Sequence, residues 1–243
     1  MRAGTLAAVL KGGDGIVGLW GHLQLSTSPD GGESWTPPRT IAQMSCDTDH
    51  MALGQTRDGT LVISFVQPPA YQNGLLVTTH IHDGPVYIVR SQDGGATWGA
   101  PVTIDTSSTP VPQGCNPHGK MVQLPDGTLL MCSYFRYRKG QMRPSYQLHS
   151  NDEGTNLLRS RDGGHTWGDG FLLADGFVEP SLYVLPWGRL LGMVVQFMPG
   201  RNLWLTESDD GSYTWSAPHP ITGYHEYSYS SLLWLNDGRL LLA

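Results

Sequence analysis

Charge and cysteine are both scarce in this chain of 243 residues. Only 15% of the residues are Asp, Glu, Lys or Arg, too few for a charge-driven disordered chain or a salt-bridged coiled coil. Lys and Arg number 15 against 21 acids, a formal charge of −6, so the electrostatics favour neither nucleic acid nor an anionic membrane surface. No apolar run approaches the roughly 18 residues that span a bilayer. Residues 1–10 carry one positive charge ahead of an apolar stretch too short for a signal peptide, which makes the chain cytoplasmic if Met1 is its true start. Three cysteines, Cys46, Cys115 and Cys132, are too few and too odd in number for a disulfide framework.

What is abundant is glycine (31) and proline (17), together with eight tryptophans. That composition describes many short strands joined by tight turns. Half of the tryptophans close one repeated motif: Ser28-Pro29-Asp30-Gly31-Gly32-Glu33-Ser34-Trp35, then residues 91–98, 160–167 and, more weakly, 208–215. Its aspartate and hydroxyls are suited to bond the turn's own backbone, its glycines to left-handed φ, and its tryptophan to packing between units. A second repeat interleaves with it: Asp14-Gly15-Ile16-Val17, Asp58-Gly59-Thr60-Leu61, Asp126-Gly127-Thr128-Leu129 and Asp237-Gly238-Arg239-Leu240, with Trp187-Gly188-Arg189-Leu190 lacking the aspartate. Asp-Gly between strand-like runs predicts a type I′ hairpin, with positive φ at both central residues.

One unit therefore reads strand A, Asp-Gly turn, strand B, variable loop, strand C, Trp-closed turn, strand D. Four antiparallel strands repeating at about 50 to 70 residues make a propeller blade. The expected blades are 1–42, 47–104, 116–174, 178–222 and a partial 226–243. Tight turns occupy one end of such units, so a pocket belongs to the long, dissimilar connections at the other: residues 43–50, 67–85, 105–118, 133–154, 176–180, 196–201 and 223–229. Eight positions before the turn Asp or its equivalent stand His50, His118, Glu179 and Tyr229, four proton-handling side chains at one repeat position.

These repeats resemble the Asp-box (BNR) repeats of the sialidase-like family. The resemblance implies an all-β, six-bladed β-propeller of the sialidase type. Six units of about 56 residues need roughly 335, so about four and a half blades are expected here. It also implies a glycoside hydrolase acting on a terminal sugar, an acidic one among the candidates, without cofactor. The segment from Glu179 through Leu191 looks like the family's glutamate strand, and that glutamate activates a tyrosine nucleophile. An arginine of the family falls near Gln196, which is not an arginine, and the family's first arginine falls on Arg2. Asp47 and Asp49 are candidates for the general acid, with Asp49, His50, His118 and Tyr229 joining Glu179 in catalysis.

Tyr134 and Arg136 lie in an aromatic and basic stretch suited to stacking a sugar and pairing with its carboxylate. Tyr227 is placed with Tyr229 on the axial side of the last strand pair, and Asp47, Gln196 and Arg2 complete the expected substrate contacts. The expected partner is a glycan. Two alternatives remain open: a non-catalytic carbohydrate-binding propeller, and a metal-assisted lyase or hydrolase in which His50, His118 and a carboxylate hold a divalent ion.

Overall fold

The computed structural model describes residues 4–13, 20–45, 47–67, 71–72, 75–76, 84–137, 153–196, 202–221, 230–235 and 237–242. Apart from one turn of 3-10 helix, Pro112–Gly114, these residues form strands and turns. The first unit holds β1 (Leu6–Gly12), β2 (His22–Ser28) and β3 (Arg39–Gln43). The second holds β4 (Asp49–Gln55), β5 (Leu61–Val66), the small hairpin β6 (Tyr71–Gln72) and β7 (Leu75–Leu76), then β8 (Val86–Ser91) and β9 (Val102–Thr103). The third is β10 (Asn116–Gln123), β11 (Leu129–Arg136), β12 (Glu153–Ser160) and β13 (Gly168–Asp175). β14 (Val178–Val184), β15 (Leu190–Gln196), β16 (Asn202–Ser208) and β17 (His219–Pro220) form the fourth, and β18 (Leu232–Trp234) with β19 (Leu240–Leu242) the fifth.

Each unit is an antiparallel meander, with the β6–β7 hairpin inserted between β5 and β8 in the second. The second and third units fuse into one sheet through their first strands, β4 and β10, which pair parallel at Ala52–Gly119 and Leu53–Lys120. β10 in turn lies beside β14, and β14 beside β18. The first strands thus form a curved row, and a cavity of about 490 Å³ opens along it, lined by Leu53, Gly54, Gly119, Lys120, Ser181 and Ser230 among others. The middle strands β5 and β15 are buried at every position, because both of their faces meet a neighbouring unit. Outer strands β3, β9 and β17 are short, and prolines stand at or just before them: Pro38 before β3, Pro101 before β9, Pro220 within β17. A residue without N–H blunts an edge that would otherwise template pairing.

The Trp-closed turns all close in one way. In the second unit Ser91 Oγ donates to Asp93 Oδ1 (2.8 Å) and accepts from Gly95 N–H (2.8 Å). Thr97 donates to the same carboxylate through N–H (2.9 Å) and Oγ1 (2.6 Å), and Trp98 Nε1 donates to Gly95 O (3.1 Å). This fixes three of the four indoles against the preceding unit: Trp98 among Leu23, Ala42, Ile63 and Val89, Trp167 among Ala52, Val62, Met121 and Leu158, Trp215 among Val122, Leu130, Leu182 and Leu190, while Trp35 of the first unit is exposed. Truncating a buried aromatic of this kind costs about 3–5 kcal/mol, so the indoles are principal ties between units.

Two expectations are corrected. The A–B turns are not type I′: only the glycines, Gly59 (φ 90°), Gly127 (95°), Gly188 (94°) and Gly238 (84°), are left-handed there, and the preceding residue is not. Gly59 N–H donates to Thr56 O (2.9 Å) and Thr56 N–H to Thr60 O (2.9 Å), the pattern of a three-residue loop in which a left-handed glycine follows a right-handed turn. Asp58 instead accepts from Thr60 N–H (3.1 Å). The second correction concerns the first unit. Leu6 pairs with Ser28 as Leu61 pairs with Ser91, and Gly4 (φ 87°) stands where Gly59 stands. β1 is therefore a second strand and its turn is Gly4-Thr5-Leu6; Asp14-Gly15, between β1 and β2 in sequence, lies outside the described residues.

Candidate active site

The connections opposite the tight turns bring together side chains from three units. β4 opens with Asp49 and His50, β10 with His118 nearby, β14 with Glu179 next to its start. At each place the ladder is interrupted. His50 is the extra residue where the register shifts between the pairs Asp49–Val66 and Met51–Phe65, and Glu179 and Pro180 together oppose one residue between the pairs Val178–Val195 and Ser181–Met193. β10 shifts register just after His118, where residues 119–121 oppose Met131 alone. His50 (φ 44°) and Glu179 (φ 50°) are left-handed, whereas the third unit places that conformation on Gly119 (φ 74°). An extra residue in a left-handed bulge re-aims the side chain that regular alternation would put elsewhere.

Tyr134 joins the two histidines. Its hydroxyl lies 3.2 Å from His50 Nδ1 and 3.4 Å from Nε2, and the rings meet edge to face at 5.3 Å. The His118 ring lies 5.9 Å from the same tyrosine. Asn116 Nδ2 donates to Tyr134 O and Gly114 O, both at 3.1 Å, which holds the strand ends together. His118 Nδ1 is 3.1 Å from Pro180 O. A carbonyl oxygen only accepts, so Nδ1 carries the hydrogen and Nε2 is the acceptor nitrogen of the neutral ring. Burial pushes the His118 pKa below its usual 6.5, opposed by the bond to Pro180 O and the charge of Glu179. The ring is thus neutral at physiological pH and joins the third unit to the strand that carries Glu179.

Lys11, the sixth residue of β1, closes the other side. Its ammonium donates to Asp47 Oδ2 (3.0 Å), stands 2.9 Å from Asp47 Oδ1 outside hydrogen-bond angles, and is 3.9 Å from Asp49 Oδ2. The Asp47 side chain is 2% exposed and that of Asp49 18%, so Asp47 anchors the corner while Asp49 is the carboxyl group that a ligand reaches. Asp47 needs room: a Cβ on Gly21 would sit 1.7 Å from its Oδ1. Asp49 Oδ1 also accepts from His50 N–H (2.9 Å), which couples the acid to the bulge.

The sequence gives no obvious sign of Lys11, yet a sign exists. Aligned on Gly4-Thr5-Leu6, Gly127-Thr128-Leu129 and their pairings, Lys11 and Tyr134 are the same repeat position, the sixth residue of a second strand. The wrong turn in the first unit hid this. Ser133–Arg136, expected in a loop, are the end of β11. Arg136, two residues beyond Tyr134 and so on the same sheet face, is bound by Glu153 Oε1 through Nη2 (2.5 Å) and Nε (3.2 Å). Gln196 is the buried last residue of β15, paired with Asn202. Arg2, Tyr227 and Tyr229 lie outside the described residues, as do Cys46, His80, His82 and His149. Cys115 is buried as a free thiol, and among the described residues no three His, Cys, Asp or Glu side chains converge to hold a metal ion.

The family model of the BNR repeat-like domain matches residues 22–243. The chain belongs to the sialidase-like BNR repeat family. No curated protein matches this BNR chain. Among solved structures it is similar to a protein of unknown function from Dyadobacter fermentans, at 22% identity and a TM-score of 0.78 over 99% of this chain and 71% of that one. It is similar to a Hadza microbial sialidase, at 20% identity and a TM-score of 0.75 over 99% of this chain and 50% of that one. It also resembles the NanB sialidase of Streptococcus pneumoniae, at 12% identity and a TM-score of 0.71, with 100% of this chain and 55% of that one covered. At these identities the likeness is one of fold. The BNR chain spans 50% and 55% of the length of the two sialidases.

Proposed function

We propose that the units belong to a six-bladed propeller of the sialidase type, and that the site at the ends of its first strands hydrolyses a glycosidic bond at a chain terminus. The observation that carries this reading is the placement of Glu179: a left-handed bulge holds this carboxylate beside His118, at the same end of the first strands as Asp49 and His50. Glycoside hydrolysis needs an acid for the leaving oxygen and a second group that activates the nucleophile. Asp49, the exposed member of its pair, protonates the glycosidic oxygen. Glu179 takes the proton of the attacking hydroxyl, a water or the phenol of Tyr229, and its charge favours the oxocarbenium-like transition state.

The neutral groups serve recognition. His118 presents Nε2 as an acceptor, and Tyr134 with His50 supplies a hydroxyl and an imidazole, the small set of oriented polar groups that fixes a sugar in a pocket. None of these steps calls on a cofactor. Replacing Glu179 with Gln should lower turnover of a cleaved glycoside by about 10²–10⁴-fold and leave glycan affinity within a few-fold of the wild type. Unchanged turnover in that variant would refute the assignment. A second reading, a propeller that binds glycan without cleaving it, is favoured by the engagement of Arg136 with Glu153; it predicts equal glycan affinity and no turnover in both proteins.

A further inference from the structure

The turn of the fourth unit departs from its repeat. In the second, third and fifth units an aspartate follows the first strand and accepts from the amide two residues on, at 3.1 Å for Asp58, 2.9 Å for Asp126 and 3.1 Å for Asp237. The fourth unit carries Trp187 there. Its turn closes all the same: Leu185 N–H donates to Arg189 O and Gly188 N–H to Leu185 O, both at 2.8 Å. The turn does not need the indole, and Trp187 is 63% exposed. The ring is nevertheless held in one orientation. It meets Trp234, the last residue of β18, edge to face at 5.1 Å and 86°. Trp234 N–H donates to Tyr183 Oη at 3.0 Å, and the Lys120 ammonium stands over the Tyr183 ring at 5.7 Å. Tyr183 and Lys120 line, with Gln55, Arg57 and Gln123, a cavity of about 420 Å³. Contacts thus run from an exposed indole, through a second indole and a phenol, to a polar hollow with two cationic groups. Trp187 and Trp234 stand at the turn end of the first strands, opposite the end that carries His50 and Glu179.

We propose that this end of the chain carries a second glycan-binding site, in which a pyranose unit of an oligosaccharide stacks on Trp187 and Trp234 and the adjoining unit reaches the hollow of Lys120 and Arg57. A pyranose presents ring C–H groups on its faces and hydroxyls around its rim. The faces match an indole of fixed orientation, and the hydroxyls match the polar and charged groups beside it. Arg189, bonded to Asp209, and Arg239, bonded to Asp237, stand in the same two turns as the indoles. The core of a protein-docking patch is depleted of such charges, which favours a sugar as the occupant. The proposal stands apart from the hydrolase reading, because a glycan bound here leaves the end that carries Glu179 open.

The test titrates the purified chain with cellohexaose, xylohexaose, chitohexaose and a sialylated biantennary N-glycan. Binding is read from the indole Nε1–H resonances, assigned through Trp187→Phe and Trp234→Phe. At least one probe should shift both resonances. Trp187→Leu, apolar but not flat, should weaken that binding by about tenfold or more, whereas Trp187→Phe, which keeps a flat ring, should weaken it less. Turnover of a small aryl glycoside should be the same in Trp187→Leu as in the wild type. No shift of either indole with any probe overturns the proposal. Binding as tight in Trp187→Leu as in the wild type shows that no ring stacks, and overturns it too. Indole shifts that follow protein concentration rather than glycan mark contact with a second copy and count equally against it. Should Trp187→Leu fail to fold, the wild-type resonances decide. Indole shifts in a chain that cleaves no glycoside keep the proposal and remove the hydrolase reading; turnover without indole shifts does the reverse.

Discussion

The joint between the third and fourth units should be intolerant of a single methyl group at Gly119, and two other glycines separate the reasons. Gly119 has φ 74°, and a Cβ there would lie 2.6 Å from Pro180 O and 3.3 Å from Ser181 Cα, both backbone atoms of β14. Gly127 has φ 95° but nothing within 4 Å of its Cβ, so Gly127→Ala isolates the cost of the left-handed conformation, about 1–2 kcal/mol. The Cβ of Gly54 would lie 2.5 Å from Met121 Cβ in the β4–β10 joint, and Gly54 is not left-handed. Gly54→Ala therefore isolates overpacking, about 1–3 kcal/mol. Gly119→Ala suffers both and should lose about 2–5 kcal/mol, a large share of a domain stability of about 5–15 kcal/mol. All three changes narrow the unfolded ensemble alike, so that gain cancels between them. Urea unfolding followed by tryptophan fluorescence gives the three values. Gly119→Ala should also part His118 Nδ1 from Pro180 O and lower turnover. A Gly119→Ala loss no larger than that of Gly127→Ala would mean that β14 yields freely, and the inner row of strands would not be the rigid frame of the site.

Two further outcomes follow from the charges. Side-chain and backbone bonds from Thr97 and Thr214 lower Asp93 and Asp210 to about 2, and at Asp162 the bonds from Thr166 outweigh burial and give about 2 as well. These carboxylates are lowered in the folded state, so their contribution is present above the unfolded value of 3.8 and is lost as pH falls toward 2. The urea midpoint should drop over that window, and Thr97→Val with Thr214→Val should flatten the drop; an unaltered slope counts against the turn bonds. Lys11→Met removes the ammonium paired with the buried Asp47 carboxylate and should cost about 3–5 kcal/mol. Adding Asp47→Asn should restore most of it, and a double mutant no more stable than Lys11→Met contradicts the pairing.

Much of the fold was legible because turns with positive φ advertise themselves as glycine. The Trp-closed motif encodes its own hydrogen bonds, with serine, aspartate and threonine at fixed offsets, so four copies fix four C–D turns. The first unit was misread because Asp14-Gly15 looks like a turn and Ala3-Gly4 does not. What closes the turn is the left-handed glycine and two backbone bonds; the aspartate adds a bond to the amide two residues on and, at Asp58 and Asp237, side-chain bonds from Thr56 and Arg239. Side-chain identity at that position is therefore the weaker signal. Lys11–Asp47 was invisible for another reason: it joins residues 36 apart in sequence, across a unit boundary that the misread turn had displaced.

The bulges explain why spacing found the right residues without fixing where they point. In a regular strand a count from the turn decides the face, and one extra residue reverses it. His50 and Glu179 each sit at such an extra residue, in a conformation that costs a non-glycine residue about 1–3 kcal/mol. Glycine would relieve it, as Gly119 does in the third unit, but a glycine carries no side chain to aim. The other left-handed non-glycines among the described residues are Ser212, standing for a turn glycine, and Asp169 near the start of β13. Ser212 shows what offsets such strain elsewhere: its Oγ accepts from Arg159 Nε at 3.1 Å and its carbonyl from Arg159 Nη2 at 2.5 Å, bonds that tie the fourth unit to the third. His50 too is tied to the third unit, through the Tyr134 hydroxyl at 3.2 Å, and Glu179 acts on His118 of that unit. What their strain secures is direction: an imidazole and a carboxylate carried at the same repeat position of two different units, with Tyr134 and His118 between them. Retaining a strained acid–base residue where glycine would fold more easily is what a site requires and a scaffold does not.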